Sequence, residues 1–195
     1  MAERSIIPMF PLTLLPLPGE LVPLHIFEPR YRQLLEDAET TDISFGIFFE
    51  HPCNKRRIGA LMKLESVVKR YPAGESDIVV RCIDTFSTDR LFSNYRNKRY
   101  PGGSIAQWHV DMHTMPGVAL YELFIDFQSK RNINHHFRAF TLYQLAAELN
   151  LTATDRYRFL TLSGEKRNSF LMNHLLFQLH ILKQVEKTRE RFHLN

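Results

Sequence analysis

The sequence predicts an α+β protein, with a β-rich half over about residues 1–115 and a helical half over about 116–195. Two observations carry that prediction. Up to residue 115 the apolar residues fall in short runs broken by Pro and Gly turns, and beyond Met115-Pro116-Gly117 they recur every three to four positions. The stretch after Gly164 also contains neither glycine nor proline, so nothing inside it interrupts a helix.

Taken in order, Ser5 to Phe10 reads as a short strand whose prolines suit a sheet edge. Pro16-Leu17-Pro18-Gly19 is a turn, and Leu21 to Phe27 a second strand, with Leu24 and Phe27 expected to anchor the core. Pro29 can open a helix, because its missing N–H falls among donors that have no intrahelical partner. Tyr31, Leu34, Leu35 and Ala38 follow helical spacing behind it. Ile43 to Glu50 is a continuous apolar run, the mark of a buried strand. Ile58 to Tyr71 and Asp77 to Thr85 read as a long hairpin closed by Tyr71-Pro72-Ala73-Gly74-Glu75-Ser76. Leu91 to Tyr95 and Ser104 to Met112 form a second pair about Pro101-Gly102-Gly103, with Ala106, Trp108, Val110 and Met112 on the core face. In the helical half, Leu120, Leu123, Phe124 and Phe127 make one amphipathic stripe, and Leu142, Leu145, Ala146 and Leu149 another. Thr152-x-x-Asp155 fits a capping box and opens a third helix. The last helix, Glu165 to Phe192, carries Leu171, Leu175, Leu179, Leu182 and Val185. No flexible linker separates the halves, so they are expected to pack together.

The bulk properties exclude several classes. A chain of 195 residues can bury roughly 70% of its unfolded surface without disulfides or metal. Its two cysteines, Cys53 and Cys82, form no framework and point to a reducing compartment. The N-terminus has no signal-peptide pattern and no run of apolar residues reaches membrane-spanning length, so a cytoplasmic protein without membrane contact is expected. The net charge of +4 is spread over short clusters, Lys55-Arg56-Arg57, Arg96 to Arg99 and Lys130-Arg131, which read first as solvated surface.

Signals for catalysis are weak. Ser66-x-x-Lys69 lies on a predicted strand, where residues three apart face opposite ways, and the serine of Ser163-x-x-Lys166 suits a helix N-cap. No G-x-x-x-x-G-K-[ST] loop and no nucleophile elbow occur. His109-x-Asp111-x-His113 would put three ligand-type side chains on one face of a strand, roughly 6–7 Å apart at successive positions. The alternative is a polar outer face opposite Trp108. His51-x-Cys53 and His135-His136 lack partner spacing for a metal. Neither a cofactor nor a metal is expected.

Phe10-Pro11-Leu12, Pro16-Leu17-Pro18-Gly19-Glu20 and Val22-Pro23-Leu24-His25-Ile26-Phe27-Glu28-Pro29-Arg30-Tyr31-Arg32 resemble the opening of the N-terminal substrate-binding domain of Lon proteases. They are most similar to the form in stand-alone Lon-domain proteins and in the Lon-like part of cereblon. Arg57-Ile58-Gly59-Ala60 is similar to the family's glycine-containing central strand. Leu15-Pro16-Leu17-Pro18-Gly19 departs from the commoner spelling LFPG. The resemblance implies a PUA-like β-pseudobarrel at residues 1–115 followed by a C-terminal helical bundle at 116–195. It implies binding of unfolded or specific polypeptides, without ATPase or peptidase, by a module that could serve proteolysis in trans. In that reading His25, Arg30 and Tyr31 line a polypeptide groove; the alternative is that their block closes the barrel and orients the first helix. Two partner readings remain beside it: RNA or other nucleic acid on a basic barrel surface, suggested by Tyr95-Arg96 and Arg99-Tyr100, and a homodimer through the last helix.

Overall fold

The computed structural model describes residues 4–131 and 139–193, with side chains followed as far as Val185. It contains strands β1 (Arg4–Leu12), β2 (Leu21–Ile26), β3 (Phe45–Phe49), β4 (Ile58–Arg70), β5 (Ser76–Phe92) and β6 (Gly102–Gln107). The helices are α1 (Pro29–Thr41), α2 (Val118–Lys130), α3 (Leu142–Glu148), α4 (Ala153–Thr161) and α5 (Gly164–His193). The chain divides into two compact units, residues 1–112 with 151–157, and residues 113–150 with 158–195. His135 and His136 lie outside the described residues.

The first unit is a pseudobarrel. The strands run in the order β2-β5-β4-β3-β1-β6, and β6 pairs back onto the second half of β5. Five strands therefore close on themselves, and β2 hangs on the first half of β5 outside the ring. Among the described strands only β1 and β3 run parallel to each other. Two apolar clusters fill this unit. Met9, Leu61, Phe86 and Ile105 form one. Phe10, Tyr31, Leu34, Leu35, Ile47, Met62, Ile78 and Val80, with others, form the larger one and include the buried face of α1. Adjacent residues such as Met9 and Phe10 serve different clusters because successive side chains of a strand leave opposite faces.

The ring is so narrow that two strands must carry glycine. A Cβ on Gly59 would lie 2.4 Å from Cζ of Phe86, and one on Gly46 would lie 2.7 Å from the same atom. This is the physical content of Ile58-Gly59-Ala60: the Phe86 ring lies where a side chain would otherwise be.

Three sequence expectations are corrected. The strand placed at Leu91 to Tyr95 is the end of the 17-residue β5, which stops at Phe92, and β6 stops at Gln107 instead of Met112. The stop is built by Asp84. Its carboxylate accepts the backbone N–H groups of Thr85 (2.7 Å), His109 (3.0 Å) and Val110 (3.0 Å), and His109 turns into positive φ. The core parity of β6 is also reversed. Ile105 is fully buried between Ser5 of β1 and Thr88 of β5, whereas Ala106 and Trp108 are only half-buried.

Segment 151–157 of the first unit opens α4 with the expected cap: Asp155 N–H donates to Thr152 Oγ1 (3.2 Å), whose hydroxyl donates to the Asp155 carboxylate (2.7 Å). Arg156 then holds the Pro16–Gly19 turn. It makes two contacts with Glu20, at 2.6 and 2.9 Å, and donates to the Leu15 carbonyl, while the Leu17 N–H donates to Glu20.

In the second unit α2 buries Leu120, Phe124 and Phe127, and α5 buries Leu171, Leu175 and Leu179. A capping box that sequence reading passed over, Thr141 with Gln144, opens α3. Arg167 donates to Tyr143 Oη (2.6 Å) and to the carbonyls of Leu160 and Leu162. A second stripe of α5, Phe177, Ile181 and Val185 with Leu176, is exposed.

Candidate functional site

Within β2 the side chains alternate. Val22, Leu24 and Ile26 pack on the larger apolar cluster, so Leu21, Pro23, His25 and the following Phe27 face outward. Phe27 is thus 56% exposed, against the expectation that it anchors the core; Ile26 fills that role at 3%. The backbone at Phe27 is fixed by α1. Arg32 Nε donates to the Phe27 carbonyl (2.8 Å), and its Nη1 donates to the Ala73 carbonyl in the β4–β5 turn (2.7 Å). Gly74 is required in that turn because its φ is +88°, a conformation that side-chain-bearing residues rarely adopt, and the Arg32 guanidinium packs against it.

Three rings meet on this corner. The His25 ring lies 6.0 Å from that of Phe27 and 5.8 Å, edge-on, from that of Tyr71. Asp77 ties two of them together. His25 Nδ1 donates to Asp77 Oδ1 (2.7 Å) and Tyr71 Oη donates to Asp77 Oδ2 (2.6 Å). The Tyr71 bond, then the His25 bond, hold the Asp77 carboxyl below its ordinary range, and the same bond to Asp77 raises the Tyr71 phenol. Lys69 Nζ sits 4.4 Å above the Tyr71 ring, and Glu75 stands 4.0 Å from His25 Nε2. Along the sheet the rows His25–Asp77–Lys69, Pro23–Val79–Ser66 and Leu21–Arg81–Lys63 continue the face, crossed by the Arg81–Glu65 pair (2.8 Å). Val68, in a bulge of β4, is 66% exposed. The result is a firmly braced outer face of β2, β5 and β4 that leaves apolar side chains in water.

The sequence-predicted residues separate. His25 belongs to this corner. Tyr31 is buried, 4.0 Å ring to ring from Phe10, and desolvation raises its phenol. Arg30 lies over the other side of Tyr31 (4.6 Å) and pairs with Glu28 (2.8 Å). Tyr71, Asp77 and Lys69 were missed; the signal that could have found them is cross-strand register, which the sequence does not contain. Of the two aromatics beside basic clusters, Tyr100 is fully buried and donates to Asp37 (2.6 Å), while Arg96 covers Tyr95 at 5.1 Å.

The residues considered for catalysis or metal lie elsewhere. Ser66 and Lys69 stand on β4 on either side of a bulge, and Lys69 engages Tyr71. Ser163 precedes α5. His109, Asp111 and His113 follow the end of β6, so strand alternation does not align them. His51 Nδ1 accepts from the Cys53 N–H (3.2 Å), with the thiol 3.0 Å away. Among the described residues no group of three or more His, Cys, Asp or Glu side chains could hold a metal ion. No described helix is long and apolar enough to cross a membrane.

Residues 6–156 match the family described as the ATP-dependent protease La (LON) substrate-binding domain. The chain belongs to that family. The Lon N-terminal domain protein of Xanthomonas campestris is similar in structure, with TM-score 0.64 and 21% identity, over 90% of this chain and 98% of that one. The N-terminal domain of the Lon protease of Mycobacterium avium complex is similar with TM-score 0.58 and 14% identity, over 88% and 98%. At these identities the likeness shows the fold: a Lon N-terminal-type α+β module. No curated protein matches the sequence.

Proposed function

We propose that this Lon-type module is a non-catalytic binder of polypeptide, and that ligands dock on the outer face of β2, β5 and β4 with Phe27, His25 and Tyr71 as the anchor. The observation that carries the reading is Phe27, which is 56% exposed while its backbone is clamped by Arg32. A large apolar side chain left in water on a rigid backbone costs little further entropy when a partner covers it, which is the usual character of an interface hot spot. The neighbouring Leu21, Pro23, Val79 and Val68 extend the apolar area, and Lys69 and Glu75 supply a polar rim. Tyr31 supports this surface from beneath without touching the ligand. Membership of a substrate-binding family supports polypeptide as the ligand class. In this reading the module presents bound chains to a protease or other partner.

The test is fluorescence anisotropy with a labelled, carboxymethylated protein that cannot fold. Micromolar binding is expected, and Phe27→Ser should weaken it about tenfold, equivalent to about 1.4 kcal/mol. Leu176→Ser on α5 should leave it unchanged. Absence of binding by the unaltered protein at hundreds of micromolar, or equal loss in both variants, would sink the assignment.

A further inference from the structure

The outer face just described is bounded by strand edges, and their backbone groups decide how a polypeptide can be read. β2 is the terminal strand of the order β2-β5-β4-β3-β1-β6, and no described strand pairs with its far side. Cys82 N–H donates to the Glu20 carbonyl (2.9 Å), which fixes the parity of the β2–β5 ladder. Residues 22, 24 and 26 exchange bonds with β5, and residues 21, 23 and 25 direct their backbone groups to the free edge. The middle one is Pro23, which has no N–H and whose ring fills the donor's place. An added strand would lose the central bond of its ladder and meet the ring instead. The far half of β4, beyond its pairing with β3 at Met62, is no better. Lys63 reaches Asp42 (2.9 Å), just past α1, and Arg70 reaches Glu39 of α1 (2.5 Å), so side chains lie across that edge.

We infer that the module recognises apolar side chains and leaves the ligand backbone unread, because Pro23 closes the β2 edge to strand addition. The inference rests on the polypeptide reading above and specifies its mode of recognition: a bound chain is held by its side chains, whatever its backbone hydrogen-bonding state. Such a binder tolerates many sequences, since the backbone imposes no register.

The experiment compares a Phe- and Leu-rich peptide with two versions N-methylated at alternate residues, one in each register. Each methylated version lacks one edge's worth of N–H donors and keeps every side chain. All three should bind within about threefold of one another, because no ladder bond is lost. A loss of about thirtyfold or more in either register overturns the inference while leaving the polypeptide reading standing. If the unmodified peptide fails to bind, the polypeptide reading falls and takes this one with it. A Pro23→Val variant gives an independent arm. It restores the donor, so the unmodified peptide and the version methylated on its outward edge should gain at least about fivefold in affinity, and the version methylated on the facing edge should not. An unchanged affinity would show that Pro23 is not what closes the edge.

Discussion

Single residues in the first unit are set by space and by burial of charge. Gly59 is the clearest case, since the Phe86 ring and the Ile47 carbonyl occupy the volume a methyl group would need, with the carbonyl at 2.5 Å. Gly59→Ala is expected to cost about 1–3 kcal/mol of stability, read from the urea midpoint at unchanged slope. The two thiols make a second case. Cys82 is fully buried, and burial pushes its pKa far up, with Glu20 and Asp84 adding to that. Cys53 is half-exposed. One thiol should therefore react with an aromatic disulfide reagent in the native protein and two in denaturant; two fast thiols in the native state would contradict this burial. Asp37 is a third. Burial raises its carboxyl, but the hydrogen bonds from Lys98 and Tyr100 outweigh that and leave it below the ordinary value. A depressed folded-state pKa gives stability that is complete above the unfolded value, about 3.9, and lost as pH falls through the folded one. Asp37→Asn should flatten the stability difference between pH 5 and the acid limb, as measured by urea unfolding across that range. An unchanged acid slope would remove Asp37 from this role.

Elements carry the next level. The Pro16–Gly19 turn is closed by Glu20 N–H to the Leu17 carbonyl (3.0 Å) and tied to β5 by Gly19 N–H to the Cys82 carbonyl (2.8 Å), and Arg156 adds to this by pairing with Glu20 and reaching the Leu15 carbonyl. Both side chains are about four-fifths covered, at 17% and 20% exposure, so removing one partner strands the other. Arg156→Ala is expected to raise hydrogen exchange at the Leu17 amide, which donates to Glu20, before it changes exchange in β3; uniform change across the sheet would argue against a local clamp. Most of these elements were legible in sequence. The β1, β2, α1, β3 and β4 segments, the 71–75 turn and the Thr152–Asp155 cap follow from periodicity and from Pro, Gly and Thr placement. The end of β6 was not legible, because it depends on Asp84 reaching three backbone amides that lie 1, 25 and 26 residues away. Phe27 was misread for a simpler reason: a hydrophobic residue at a strand's end looks like core unless the parity of Val22, Leu24 and Ile26 is followed through to it.

At the scale of the molecule the proposed role rests on a contrast within the first unit. Its interior is closed around Phe86, and its exterior keeps Phe27, His25 and Tyr71 braced and open to water. A ligand that covers this face should raise the thermal midpoint in a concentration-dependent way, and the rise should vanish with Phe27→Ser. A shift that survives in that variant would place the contact on another surface.

Order and composition alone determined the strand-then-helix plan, the family and the absence of a P-loop, because each depends on residues near one another in the chain. The tertiary structure alone decided which side of β2 meets water, that Tyr31 belongs to the core while His25 belongs to the surface, and that Tyr71 and Asp77 join His25. The reason is geometric: those facts follow from which strand lies beside which and in what register, and pairing such as that of His25 with Asp77, 52 residues apart, leaves no local trace in the sequence.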